Sequence, residues 1–181
     1  MVNIYKLKLT ILQQEILRLL FIKAGKTLNQ RQIAKYLDVS PPAVIKALPK
    51  LEKENLITMQ QDKESKRWSI EIKREKKALE LKRADNLKQV YESGLSDHLE
   101  NELPGGTMIL FGSYSRGDDT ITSDIDLAVI GRKEKTLYLE KYEKLLERTI
   151  NINFYKSWKD ININLKNNIL NGILIEGSVE L

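Results

Sequence analysis

With 181 residues, 41% of them hydrophobic and 30% charged, the chain is long enough for two small domains with real cores, and no apolar run reaches membrane-spanning length. The absence of cysteine excludes disulfides and thiolate zinc sites, and residues 1–8 lack the form of a signal peptide, so the expected location is cytoplasmic. The net charge of +5 is unevenly spread: residues 1–75 hold fifteen Lys and Arg against eight Asp and Glu, net +7, while residues 76–102 and 103–181 are each net −1, which points to a polyanion partner for the N-terminal part.

Leu9, Leu12, Ile16, Leu19 and Leu20 recur at helical spacing and predict a first amphipathic helix ending before Gly25. Thr27 or Asn29 can cap a second helix over 30–37 with Ile33, Ala34 and Leu37 inward. Ser40, followed by Pro41 at the first helical position, starts a third. Val44, Ile45, Leu48 and Leu51 are expected in its core, leaving Pro42, Ala43, Lys46, Ala47, Lys50 and Lys53 to solvent or a DNA groove, and Pro49 is expected to kink it. Residues 56–61 and 68–72 read as two strands around the polar tip 62–67. The segment SPPAVIKALPKLEKENLI resembles the recognition helix and following strand of MarR- and ArsR-like winged helix-turn-helix domains. That resemblance implies double-stranded DNA as partner, with Pro42, Ala43, Lys46 and Lys50 toward the groove and Lys66 and Arg67 on phosphates.

Residues 73–102 read as one long charged helix with a thin apolar seam of Leu79, Leu87, Val90, Leu95 and Leu99, interruptible at Ser93 and Gly94. Over 76–102 it serves either as a spacer or as the seam of a homodimer, which would match a pseudo-palindromic DNA site. His98, the one histidine, is expected on the helix surface.

Residues 108–111 and 125–130 read as buried strands joined by a glycine-rich polar loop. Gly112 and Ser113 directly follow the first strand, where a missing Cβ lets backbone N–H groups approach an anion. Asp124 and Asp126, two apart on the second strand, put both carboxylates on one face, a hard oxygen pair suited to Mg²⁺ or Mn²⁺ bridging to a triphosphate. The run GSYSRGDDTITSDIDL resembles the signature of the nucleotidyltransferase superfamily, of the small prokaryotic kind related to DNA polymerase beta and to minimal nucleotidyltransferases. The resemblance implies an NTP as substrate or ligand, with Gly112, Ser113, Ser115 and Arg116 at the nucleotide and Asp124 and Asp126 as catalytic metal ligands.

The same resemblance marks a departure. The family's third carboxylate falls on the next strand, in a segment matched here by Arg148-Thr149-Ile150-Asn151-Ile152, and the position is held by Asn151. Asn153 shares its face, and an amide neither carries charge nor accepts a proton at neutral pH. A helix over 136–147 precedes that strand; a helix start and turn over 158–170 and an edge strand over 173–175 follow.

The predicted architecture is α+β: a winged helix-turn-helix over 1–75, a linking helix over 76–102 and a nucleotidyltransferase-like mixed sheet with flanking helices over 103–181. The function expected is that of a DNA-binding transcriptional regulator whose second domain binds Mg-nucleotide with weak or no turnover. Two alternatives stand beside it: an active Mg-dependent nucleotidyltransferase moving NMP to a protein or RNA hydroxyl, and an interaction protein of the toxin-antitoxin type.

Overall fold

Thr10 and Gln13 start the first helix by capping one another, each side chain accepting the other's backbone N–H. In the computed structural model, which describes residues 8–180, this helix is α1 (Ile11–Ile22). Residues 1–7 and 181 lie outside the described residues, and with them most of the segment read for a signal peptide and the start of the expected 1–75 domain. The chain falls into two compact units that divide between Ala78 and Leu79.

The first unit continues with α2 (Gln30–Leu37), α3 (Pro41–Lys53) and a hairpin of β1 (Ile57–Gln61) and β2 (Trp68–Ile72). Asn29 caps α2 through Gln32, and Asp38 ends it in the left-handed region at φ 51°. The Ser40 hydroxyl accepts the Ala43 N–H and Pro41 occupies the first turn of α3. The hairpin is antiparallel, with Ile57 opposite Ile72 and Gln61 opposite Trp68, and Leu28 adds a bridge to Ile70 that the sequence pattern did not announce. Ile16, Leu20, Ile33, Val44, Leu48, Leu51, Leu56 and Ile70 form the core, each stabilising the fold by roughly 1.5–3 kcal/mol relative to exposure. The buried Gln13 amide donates to the Ala47 carbonyl at 3.1 Å and so ties α1 to α3.

Helix α3 differs from expectation at two positions. Its inward row is Val44, Ala47, Leu48 and Leu51, so Ala47, expected at the surface, is buried, and Ile45, expected in the core, is exposed. A spacing of three from Val44 and of four from Leu51 selects position 47, and position 45 then points about a quarter-turn away. The helix also runs through Pro49 without interruption. Both Pro49 and Ile45, whose carbonyl lacks the Pro49 donor, are exposed, so the unmade bond faces water.

The predicted helix over 73–102 is two helices, α4 (Lys76–Glu92) and α5 (Leu95–Glu102), separated at Ser93 and Gly94, with Gly94 at φ 76°. Of its seam, Leu79 and Leu87 are half-buried. Val90, Leu95 and Leu99 are buried within the second unit.

The second unit is built on a four-stranded sheet of order β5-β4-β3-β6, from β3 (Thr107–Phe111), β4 (Ile125–Ile130), β5 (Ile150–Tyr155) and β6 (Ile173–Glu176). β3 pairs antiparallel with β4 and β6; β4 and β5 are parallel, joined through α7 (Glu140–Leu146). Between β3 and β4 lies the short α6 (Gly112–Arg116), and between β5 and β6 a 3₁₀ turn (Trp158–Asp160) and α8 (Ile163–Leu170). One sheet face, with Met108, Leu110, Leu127 and Val129, packs on α4, α5 and α7; the other, with Ile109, Ala128 and Ile130, packs on Trp158, Ile161 and Ile169. Helix α7 is shorter than the predicted 136–147, because Leu137 and Leu139 reach the core from irregular chain while Tyr138 between them is exposed. His98 is half-buried and stacks on Tyr142 with ring centroids 5.1 Å apart. No helix of the described residues is long and apolar enough to cross a membrane.

Candidate functional site

Phe111, Asp126 and Asn151 lie side by side across β3, β4 and β5. Their shared face is apolar further along the sheet, at Ile109, Ala128 and Ile130, and turns polar at this end, where Asp124 lies just before β4. Asp124 is exposed and Asp126 half-buried, and their spacing of two directs both carboxylates outward from the same face. Asn151 stands beside them, its side-chain amide donating to Asp124 Oδ2 at 3.1 Å. The residue expected to replace a third carboxylate is therefore in contact with the first aspartate.

Gly112 opens α6 directly against this pair. Its φ is 75°, and a Cβ built on it would stand 2.5 Å from Asp126 Oδ2, so a side chain here is opposed by both backbone strain and the carboxylate. The first N–H groups of α6, from Gly112 and Ser113, have no carbonyl one turn earlier in the helix. Ser115 is buried and its hydroxyl donates to the Gly112 carbonyl at 2.8 Å, so it fastens the turn. Arg116 is exposed, with Nε 3.4 Å from Asp118 Oδ2. Gly117, at φ 81°, ends α6 where a Cβ would run into the Leu79 carbonyl, so the turn needs a glycine there to lie against α4.

The loop between Gly117 and Asp124 is anchored by Asp119, which sequence reasoning passed over. Asp119 is 2% exposed; its carboxylate accepts from Lys82 and from Asn86 (2.8 Å) on α4 and from Arg148 Nη2 (3.1 Å) just before β5. Burial pushes the Lys82 ammonium below its ordinary pKa, and the Asp119 carboxylate opposes that shift. The signal in the sequence is the row Ala78, Lys82, Asn86, Val90, four apart and all buried, in which two members are polar. Beside Asp124 opens a cleft of about 520 Å³ whose walls carry Glu140, Glu143, Lys144 and Glu147. Glu143 Oε1 accepts the Ile150 N–H at 2.9 Å and so fixes the start of β5.

Among the described residues no group of three or more His, Cys, Asp or Glu side chains converges on a metal position. Two carboxylates completed by ligand phosphates nevertheless suit Mg²⁺, which is commonly held by one or two carboxylates together with substrate oxygens.

In the first unit, Pro42, Lys46, Lys66 and Arg67 are exposed and Ala43 is half-buried. Lys50 is ion-paired with Glu54 at 2.7 Å on its own helix. The wing and the start of α2 form a groove of about 590 Å³ in which Lys66 and Arg67 are joined by Arg31 and Lys35, two cations the sequence reading did not single out.

Comparison with known proteins divides the chain in the same order. Residues 9–68 match the MarR family, and residues 95–179 match the family described as Polymerase beta, Nucleotidyltransferase. A MarR-type domain precedes a nucleotidyltransferase-like domain. Among solved structures, the chain is similar to a MepR-DNA complex of S. aureus at 25% identity, covering 52% of this chain and 81% of that one with a TM-score of 0.38. It is similar to the adhesin competence repressor AdcR of Streptococcus pyogenes at 24% identity, over 53% and 69% of the two chains, with a TM-score of 0.42. For Lactococcus lactis ZitR the identity is 26% over 56% and 67%, with a TM-score of 0.39. Among curated proteins none matches.

Proposed function

We propose that the protein is a cytoplasmic DNA-binding transcriptional regulator whose nucleotidyltransferase-like domain binds a Mg²⁺- or Mn²⁺-nucleotide with weak or no turnover. DNA affinity belongs on this reading to residues 1–75, through α3 and the wing, and the nucleotide to residues 103–181. Gly112 and Ser113 would face the phosphates, and Asp124 and Asp126 would hold the metal, which neutralises charge on the phosphoryl groups when bound. The observation that carries the reading is Asn151: at the position next to both aspartates it supplies an amide that donates to Asp124, and no group there can take the proton of an acceptor hydroxyl.

An active nucleotidyltransferase is the second reading, favoured by the intact pair Asp124 and Asp126 and by Gly112 fitted against Asp126. Assay of the purified protein for pyrophosphate release and labelled NMP incorporation with Mg²⁺ and a panel of NTPs separates the two. The wild type is expected to turn over slowly or not at all, and Asn151→Asp to accelerate it by the 10²–10⁴-fold typical of a restored general base. Rapid transfer by the wild type with no gain in Asn151→Asp sinks the regulator reading's account of this site.

A further inference from the structure

Ile45 is 49% exposed on α3, the helix that the regulator reading sets toward DNA. Pro42, Ile45, Lys46 and Pro49 follow at spacings of zero, three, four and seven, and all four are exposed, so they form one outward row. Three of the four are apolar. The opposite row, Val44, Ala47, Leu48 and Leu51, is buried in the core, so the outward row takes no part in holding the unit together. The hydrogen-bonding capacity of the surface is correspondingly narrow. Lys50 is engaged by Glu54 at 2.7 Å, which leaves Lys46 and, at the C-terminal end of the helix, Lys53 as the donors on this face, with no Arg, Asn or Gln on it to make a two-pronged contact with guanine or adenine.

The surroundings say what covers such a row. Residues 1–75 carry net +7, and Arg31, Lys35, Lys66 and Arg67 flank the start of α2 and the wing. That charge complements a phosphate backbone, and contacts of this kind set position without reading sequence. Sequence must then be read by the row itself. In the major groove the one apolar group that base pairs present is the 5-methyl of thymine.

We propose that α3 reads thymine by its methyl group, with Ile45 as the principal contact and Pro42 and Pro49 beside it, so that the protein's DNA specificity is set by the placement of T·A pairs more than by hydrogen bonds to guanine. This rests on the reading of α3 as the DNA-contacting helix. Each methyl buried against Ile45 contributes to affinity about as much as one buried methylene, roughly a fourfold change in Kd.

The test uses the full-length protein. Duplexes are selected from a random pool, and in the selected sequence each thymine is replaced in turn by deoxyuridine, which keeps the base pair and removes only the methyl. Wild-type protein is expected to lose roughly fourfold in affinity at one or two positions. Ile45→Ala should bind the thymine duplex with the deoxyuridine affinity at one of those positions, and Ile45→Val should keep most of the sensitivity; both should retain the wild-type salt slope, because phosphate contacts are untouched. Ile45 is exposed, so neither variant opens a cavity in the core. Tight binding of a selected duplex with no deoxyuridine position weakening it overturns this inference and leaves the DNA reading standing. Failure to bind any duplex above background overturns both.

Discussion

Asp119 shows how one buried residue can set the geometry of a site it does not enter. Its two oxygens are shared among Lys82, Asn86 and Arg148, so the loop that delivers Asp124 is held at once to α4 and to the start of β5. With Lys82 and Arg148 both charged and almost fully buried, one carboxylate faces two cations. Asp119→Asn keeps the shape and removes the negative charge that faces Lys82 and Arg148 in a medium that solvates charge poorly; removal of one partner from a buried ion pair typically costs 3–5 kcal/mol. We expect a loss of about that size in urea unfolding at neutral pH. Without the carboxylate, burial and Arg148 act on Lys82 with only Asp118 against them, and its folded pKa falls further. Below the ordinary lysine pKa the unfolded chain then binds a proton that the folded chain does not, so stability rises with pH. The deficit of Asp119→Asn should therefore shrink between about pH 7 and 9; a deficit that is flat or grows across that range sinks the account of Lys82. Lys82 and Asn86 belong to no motif and only their spacing along α4 hints at burial, while Asp119 and Arg148 lie inside the two quoted segments at positions to which the resemblance gave no role. Asn151 was legible by contrast, since alternation along a strand fixes which residues share a face, and its amide lies against Asp124.

At the scale of elements, caps and turns were the most readable features. Asn29 before α2, Ser40 and Pro41 at α3, and the break at Ser93 and Gly94 are local chemistry, decided by hydrogen bonds and dihedral angles within a few residues. What the pattern misjudged depends on packing partners instead. Ala47 is inward because it shares the buried face with Val44, Leu48 and Leu51, and Val90, Leu95 and Leu99 are covered because the sheet of the second unit needs a layer there. Helix α3 also offers a prediction of its own. Pro49 is exposed, so replacing it loses no core contact, while alanine restores an N–H to the Ile45 carbonyl and relieves the ring's clash in the preceding turn. A proline inside a helix is about 3 kcal/mol less favourable than alanine, offset by about 0.4–1 kcal/mol through the stiffer unfolded chain. Pro49→Ala should thus stabilise the first unit by roughly 2–2.6 kcal/mol, seen as a higher urea midpoint at unchanged m. Destabilisation would mean that the proline ring packs on something the helix needs.

For the whole molecule, the charge distribution is the feature most directly readable from sequence, and it assigns the two kinds of anion to different halves. Residues 1–75 hold a surplus of seven cations, whereas residues 103–181 are net −1, so on the proposed reading a polyphosphate there depends on a metal, the N–H groups at Gly112 and Ser113 and the local charge of Arg116. Two experiments should therefore separate cleanly. Asp124 and Asp126 repel each other across one strand face, so a divalent cation should stabilise the fold, and an NTP added with it should stabilise it further, by about 2.7 kcal/mol at a hundred times its Kd. In the double variant Asp124→Asn with Asp126→Asn the Mg²⁺-dependent thermal shift by NTP should vanish. DNA binding should respond in the opposite pattern: the log-log salt slope counts phosphates neutralised, at roughly 0.9 for each on duplex DNA, and neither aspartate neutralises one. The double variant should keep the wild-type slope, while Lys66→Ala with Arg67→Ala should reduce it by nearly 2 and leave the NTP shift intact. If the aspartate variant changes the slope as well, the nucleotide site takes part in holding DNA, and the division of labour between the two halves of the chain is wrong.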